Sequence, residues 1–309
     1  MVLILIASCK QDLNDILDTG QKIVINGLIT TDSLLNVFIS KSMYINDISG
    51  QSFDDMNDLD SAEVYFYTNN SALDSLYHVP FYSYNWWIVL NPGNYRSKSI
   101  LPQPGKEYKI IVKARNLPDA YSTIIIPDLV KIKKVDTLEV TLPFGSYFDN
   151  NKGFICKIEF SDPVNETNYY LFNIREMLNQ NYFSTDNDLE FSCEDPIVEE
   201  KLSNGEKNVG IAFSDKIING QEHILNVTVK KESILSSTSV DRQTVCFRLY
   251  SISEEYFRYI QTLNLYNKNY GNPLADPVML FSNISGGYGF FSGASVSSDS
   301  IVFRLEWLR

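Results

Sequence analysis

Apolar and polar residues alternate with a period of two through most of the chain, the pattern of strands with one face in a core and one toward solvent. Lys22–Ile29, Leu35–Ser40, Glu63–Tyr67, Trp86–Leu90 and Tyr108–Ala114 carry β-branched or aromatic residues at alternate positions. Asn69-Asn70, Asn91-Pro92-Gly93 and Pro102-Gln103-Pro104-Gly105 separate them, and such clusters stop strands and make turns. Thr123-Ile124-Ile125-Ile126 closes this series before Pro127. Short strands at this spacing predict an immunoglobulin-like β-sandwich over 21–128.

The pattern continues in the second half at Val135–Leu142, Gly153–Phe160, Tyr169–Ile174, Val209–Phe213, Ile224–Lys230, Thr244–Tyr250 and Ile301–Trp307. One segment changes period. Ser251-Ile252-Ser253-Glu254 reads as a capping box, and Tyr256, Phe257, Ile260 and Leu263 recur at helical spacing up to the Asn-rich Tyr266–Asn269. The expectation is a mostly β chain in three parts: 1–20 as signal remnant and tether, the sandwich over 21–128, and a β-rich domain over 129–309 with one helix near 253–266.

Composition narrows the chemistry. The 309 residues hold 26 Lys+Arg against 38 Asp+Glu, a net charge of −12, and such a surface repels a phosphate backbone. No nucleic-acid partner is expected. His78 and His223 are the only histidines, too few for His-rich metal sites and a poor basis for Ser-His or Cys-His nucleophiles. Cys156, Cys193 and Cys246 form no CxxC, so neither a disulfide framework nor a zinc site follows, although one disulfide remains open.

Gly286-Gly287-Tyr288-Gly289 holds a GxG, but a strand pattern follows where a dinucleotide site needs a helix. A tight loop with close backbone packing is expected instead. Asp54, Asp55, Asp58, Asp60 and Glu63 lie close in sequence, as do Asp186, Asp188, Glu190, Glu194 and Asp195, yet neither set has EF-hand spacing. Carboxylate pairs are too common among 38 acids to mark a glycosidase. The expectation is a protein without catalytic residues, metal or cofactor. Tyr82, Tyr84 and Trp86 would share one strand face, with Phe81 and Trp87 on the other. Such a row either stacks on sugar rings or anchors a partner, or it is buried beneath a neighbouring element.

Val2-Leu3-Ile4-Leu5-Ile6-Ala7 is too short to span a bilayer, which takes about 20 apolar residues. It reads as a secretory h-region ahead of small residues and a cysteine, although no basic residue precedes it. Ile6-Ala7-Ser8-Cys9 resembles a bacterial lipobox, which would make Cys9 the lipidated residue. Asp12, Asp15 and Asp18 follow, and they resemble the acidic surface-export signal of Bacteroidetes lipoproteins.

The most specific resemblance lies near the C-terminus. Ser251–Tyr259, then Gly271-Asn272-Pro273-Leu274-Ala275-Asp276-Pro277-Val278, then Ser282-Asn283-Ile284-Ser285-Gly286-Gly287-Tyr288-Gly289-Phe290 follow one another. With Ile25–Asp32, Pro104–Tyr108 and Phe213-Ser214-Asp215, this order resembles the Bacteroidetes outer-membrane lipoprotein family catalogued as domain of unknown function 4249. The resemblance implies a non-enzymatic, lipid-anchored outer-membrane protein exposed at the cell surface, partnered with a TonB-dependent receptor in nutrient capture. It carries no catalytic residues. Asn272, Asp276, Asn283 and Tyr288 are the binding candidates in these blocks, beside Tyr82, Tyr84 and Trp86. The alternatives are a structural or adhesive sandwich protein without a transported ligand, and a glycan hydrolase with a carboxylate-lined cleft. Five triplets, at Asp32, Asp60, Asp74, Asp136 and Asp299, also resemble a Bacteroidetes O-glycosylation pattern.

Overall fold

The computed structural model describes residues 20–43, 59–68, 71–79, 93–142, 152–164, 166–177, 187–204, 207–235, 242–272 and 274–304. The first half contributes β1 (Ile23–Thr30), β2 (Asn36–Lys41), β3 (Glu63–Thr68), β4 (Ser71–His78), β5 (Tyr95–Arg96), β6 (Glu107–Lys113) and β7 (Ala120–Ile125). The second opens with β8 (Ile132–Thr141), β9 (Lys152–Ser161), β10 (Tyr169–Met177), β11 (Asn187–Asp188), β12 (Phe191–Ser192) and β13 (Glu200–Asn204). It continues with β14 (Lys207–Ser214), β15 (Glu222–Lys230), the short helix α1 (Lys231–Leu235), β16 (Arg242–Ile252), α2 (Glu254–Asn269) and β17 (Tyr288–Arg304). The strand at Trp86–Leu90 lies outside the described residues.

A 13-stranded sheet runs β13-β14-β10-β16-β17-β1-β2-β5-β4-β3-β6-β7, with β11 paired to β10, and a four-stranded sheet runs β12-β15-β9-β8. The large sheet turns over at the two-residue β5, which pairs with both β2 and β4. Its two leaves then share one core: Ile23, Ile25, Val37 and Ile39 from one, Val64, Phe66, Tyr108, Ile110, Val112 and Ile124 from the other. This is the first sandwich. Its alternation is regular, as in β7, where Ala120, Ser122 and Ile124 are buried and Tyr121, Thr123 and Ile125 are exposed.

The second sandwich sets the four-stranded sheet against β14, β10, β16 and the end of β17. Phe154 meets Phe303 at 4.9 Å between ring centroids, and Phe160 meets Tyr170 at 5.6 Å, both across the gap between sheets. The reverse face of the large sheet is covered as well. There α2 lays Phe257 and Ile260 on Leu171, Ala212, Tyr250, Ile252 and Ala294, making a third layer. Burial on both sides explains the almost unbroken apolar run in β10.

β17 ties the two halves together. It pairs in parallel with β1 from Val24↔Tyr288 to Thr30↔Ala294, then antiparallel with β16 from Ile252↔Ala294 onward. Ile284 and Phe291, far beyond residue 128, therefore sit in the first core. The glycine cluster supplies the close backbone approach, and the strand starts inside it at Tyr288. A Cβ on Gly287 would stand 2.4 Å from the Ile23 carbonyl oxygen, and one on Gly289, at φ +100°, 2.2 Å from that of Ile25.

The helix begins two residues later than its capping pattern predicts. Ser253 is the N-cap, its hydroxyl accepting the Tyr256 N–H at 3.3 Å. Ser251 still belongs to β16 and its hydroxyl accepts the Val130 N–H at 3.1 Å. Pairing of Ile252 with both Tyr169 and Ala294 holds the chain extended past Ser251. Cys156, Cys193 and Cys246 form no disulfide with one another; Cys156 and Cys193 are buried, and burial pushes the Cys156 thiol up to about 12.

Candidate functional site

Two surfaces present side chains that their own packing does not use. The first is the outer face of the β4-β3-β6-β7 leaf. Inward Val64 and Phe66 leave Tyr65 and Tyr67 outward on β3, and inward Tyr108, Ile110 and Val112 leave Lys109 and Ile111 outward on β6. The register sets these in rows: Tyr65 opposite Ile111, which is opposite Tyr121, and Tyr67 opposite Lys109, which is opposite Thr123. Tyr65 donates its hydroxyl to Glu63 Oε2 at 3.0 Å. That hydrogen bond and the Glu63 charge raise the Tyr65 phenol above its ordinary value. The Lys109 ammonium stands 5.3 Å from the Tyr121 ring centroid, and Lys113 pairs with Asp119 at 3.6 Å.

The second surface is the tip beyond α2. Asn264 anchors the helix to β13 through Glu200 Oε2 at 2.8 Å and the Lys201 carbonyl at 3.0 Å. The chain then turns at Gly271 (φ +77°) and returns along the helix, where the Phe281 N–H reaches Thr262 Oγ1 at 3.0 Å. Between these points Tyr270 is 78%, Leu274 94% and Met279 87% exposed. Apolar side chains this open, so close together, mark an interaction surface.

The candidates from sequence fall in different places. Asn272 and Asp276 share the apolar tip. The Asn272 Oδ1 accepts the Leu274 N–H at 3.1 Å and so shapes its own turn, and the Asp276 carbonyl accepts from Asn269 Nδ2 at 3.4 Å. Asn283 clamps the Phe291 backbone, donating to its carbonyl at 2.6 Å and accepting its N–H at 3.0 Å. That pairing docks the returning chain onto β17. Tyr288 is half-exposed at the start of β17, with the Lys22 ammonium 4.8 Å from its ring centroid. Cys9, Tyr82, Tyr84 and Trp86 lie outside the described residues. The Ser or Thr of all five Asp-initiated triplets (Ser33, Ser61, Ser75, Thr137 and Ser300) is exposed.

Phe213-Ser214-Asp215 has a structural account. Phe213 fills the second core, and Ser214 gives its N–H to Glu199 Oε1 at 2.9 Å. Asp215 Oδ2 accepts the Asn168 N–H at 2.8 Å, joining two loops. Nearby, buried Asp162 accepts the Tyr170 hydroxyl and, at 2.8 Å, the Gly220 N–H. No group of three metal-ligating side chains occurs among the described residues, nor any helix long and apolar enough to cross a membrane.

Sequence reasoning passed over the tyrosine rows, although their signal was present. Tyr65 and Tyr67 occupy the polar phase of β3, and Tyr121 that of β7, where an alternating strand normally shows water polar side chains.

The fold and its two surfaces define a two-sandwich β-protein, knitted by one strand and backed by one helix. The family described as a domain of unknown function (DUF4249) matches residues 9–300, and the chain belongs to that family. No curated protein matches it. Among solved structures, the yeast delta-COP-I mu-homology domain is similar over 91% of this chain and 93% of its own, at 12% identity and a TM-score of 0.19. A likeness that faint carries no structural argument.

Proposed function

We propose that the protein is a non-enzymatic lipoprotein of the outer membrane, anchored through Cys9 at the cell surface, that assists a TonB-dependent receptor in nutrient capture. The observation that carries this reading is Ile6-Ala7-Ser8-Cys9, a branched residue and two small ones before a cysteine, with the family match beginning at that same cysteine. Thirteen residues, 10–22, separate Cys9 from β1 and span at most about 45 Å when extended. The body is thereby held close to the membrane. Tethering raises its effective concentration at a receptor in the same membrane, so a modest intrinsic affinity suffices. The open tip around Leu274 and Met279 supports the reading as a surface for a receptor to cover.

The test has two stages. Metabolic labelling with an alkyne fatty acid in a diderm host should tag the native chain and leave Cys9→Ala untagged and released from the membrane fraction. A Cys9→Ala chain that remains in the outer membrane ends the anchor reading. Pull-down from gently solubilised outer membranes should then recover a TonB-dependent receptor, with Leu274→Asp plus Met279→Asp reducing the yield. Recovery of the protein alone, across several detergents, moves the function to an adhesive or spacer role.

A further inference from the structure

We infer that the outer face of the β4-β3-β6-β7 leaf is a binding platform for a neutral, linear glycan of equatorially hydroxylated pyranose units. As the capture step of a transport protein this rests on the nutrient-capture reading; as a binding site it rests on the sheet face alone.

The placement of the rings carries the argument. Tyr65 and Tyr121 lie in one row with Ile111 between them, two strand spacings or roughly 10 Å apart, and Tyr67 follows Tyr65 two residues along β3. Ten ångströms is about the length of a disaccharide unit, so a flat chain laid across the strands meets a ring at every second sugar. Pyranoses with equatorial hydroxyls expose axial C–H groups on both faces, and these weakly positive hydrogens match the negative face of an aromatic ring. Their hydroxyls project around the rim. Glu63, Lys109, Lys113, Asp119 and Thr123 surround the rings with groups that can donate to or accept from such hydroxyls.

Two features distinguish the face from a protein-docking patch. The core of a protein interface is depleted of charge, whereas here Tyr65 and Tyr121 each have an ionic neighbour. Lys109 and Lys113 stand against Glu63, Glu107 and Asp119, so the face has no excess of positive charge to draw a phosphate or a sulfated polymer. The rings are partly fixed before any ligand arrives, Tyr65 by Glu63 and Tyr121 by Lys109. Fixed rings lose little freedom on binding.

The experiment uses the full chain carrying Cys9→Ala, in solution, so that its result is independent of the anchor. Calorimetric titration with cellohexaose, xylohexaose and laminarihexaose should show saturable binding to at least one, and heparin should give none. Tyr65→Ala and Tyr121→Ala should each weaken that binding about three- to tenfold, and the double variant should abolish it. Tyr270→Ala, at the apolar tip, should leave it unchanged. Should a variant fold poorly, nitration of the parent chain serves instead: the bound hexasaccharide should protect Tyr65 and Tyr121, read by mass spectrometry. Binding to none of the three hexasaccharides at millimolar concentration, to heparin alone, or undiminished in the double variant would overturn the platform. Any of these leaves the anchor reading standing, just as release of the anchor claim would leave the platform standing.

Discussion

The two ends of the large sheet carry similar aromatic residues and treat them in opposite ways. Behind the second sandwich and its junction with the first, α2 covers the outer face: Tyr259 stacks on Phe290 at 4.4 Å between ring centroids, Tyr256 on Phe290 at 5.2 Å, and Phe257 on Tyr169 at 5.1 Å. On the first sandwich Tyr121 is exposed and Tyr65 and Tyr67 are half-buried, and no helix lies over them among the described residues. Strands that carry outward aromatic rings thus end up in a three-layer core at one end and as a partly open face at the other. An aromatic row does not by itself declare its use. The element that does or does not arrive to cover it makes the decision, and here that element is α2.

This contrast predicts a graded set of responses to substitution. Phe257→Ala removes the ring that α2 sets against Tyr169 and Leu171 and should cost about 3–5 kcal/mol, measured by urea denaturation of the full chain. A cost below about 1 kcal/mol would mean that α2 is not a structural layer. Gly289→Ala should follow at about 1–3 kcal/mol from the positive φ alone, with more from the Ile25 carbonyl its Cβ would meet. It attacks the β1–β17 pairing that serves both sandwiches, so tertiary fluorescence should report loosening at both ends. Ser253→Ala should cost about 1 kcal/mol as a lost N-cap, and Ser251→Ala should not mimic it through helix content, since Ser251 caps nothing.

At the rim of the covered face, Glu199 gives a pH signature. Burial alone would raise its pKa, but the hydrogen bonds from Ser214 and Lys216 outweigh burial and hold it below the usual carboxylate value. A depressed carboxyl adds stability that is fully present above its unfolded pKa and is lost as pH falls through the lower folded one. The stability gap between the native chain and Glu199→Gln should therefore be constant at neutral pH and close below about pH 4.5. A gap that persists at pH 3 would show that the side chain acts through shape rather than charge.

Legibility in sequence follows from the range of the forces involved. Where one face of a strand is buried and the other wet, alternation displays it, and β1, β3, β6 and β9 are found within a residue or two. Ser71–His78 carries no such pattern because only Leu76 reaches the core, and it forms because β3 and β5 flank it. The first two-thirds of β17 shows a strand pattern only just after the glycine cluster, for another reason. Glycine and serine fill Gly289–Ser300, and what makes it a strand is close packing against β1 and β16, from opposite ends of the chain. Tyr121 was missed with the start of its strand, which alternation placed at Thr123. The residues of the tip were legible as a block, yet their openness belongs to the returning chain and not to any local pattern.

The smallest expected effect on stability is the most informative for the comparison. Tyr121→Ala removes a large ring, as Phe257→Ala does, but from a side chain already 46% exposed. With solvent on its outer side there is no cavity to leave, and the backbone hydrogen bonds to Ser285 do not involve the ring. The change should lie within about 0.5 kcal/mol in urea denaturation. Tyrosine suits a strand by propensity alone, so the cost of removing the ring decides whether it serves the fold. A near-zero cost would therefore locate the use of Tyr121 outside the fold, in what the face binds. A cost approaching that of Phe257→Ala would instead mean that something covers the ring, and the two ends of the sheet would differ only in which segment does the covering.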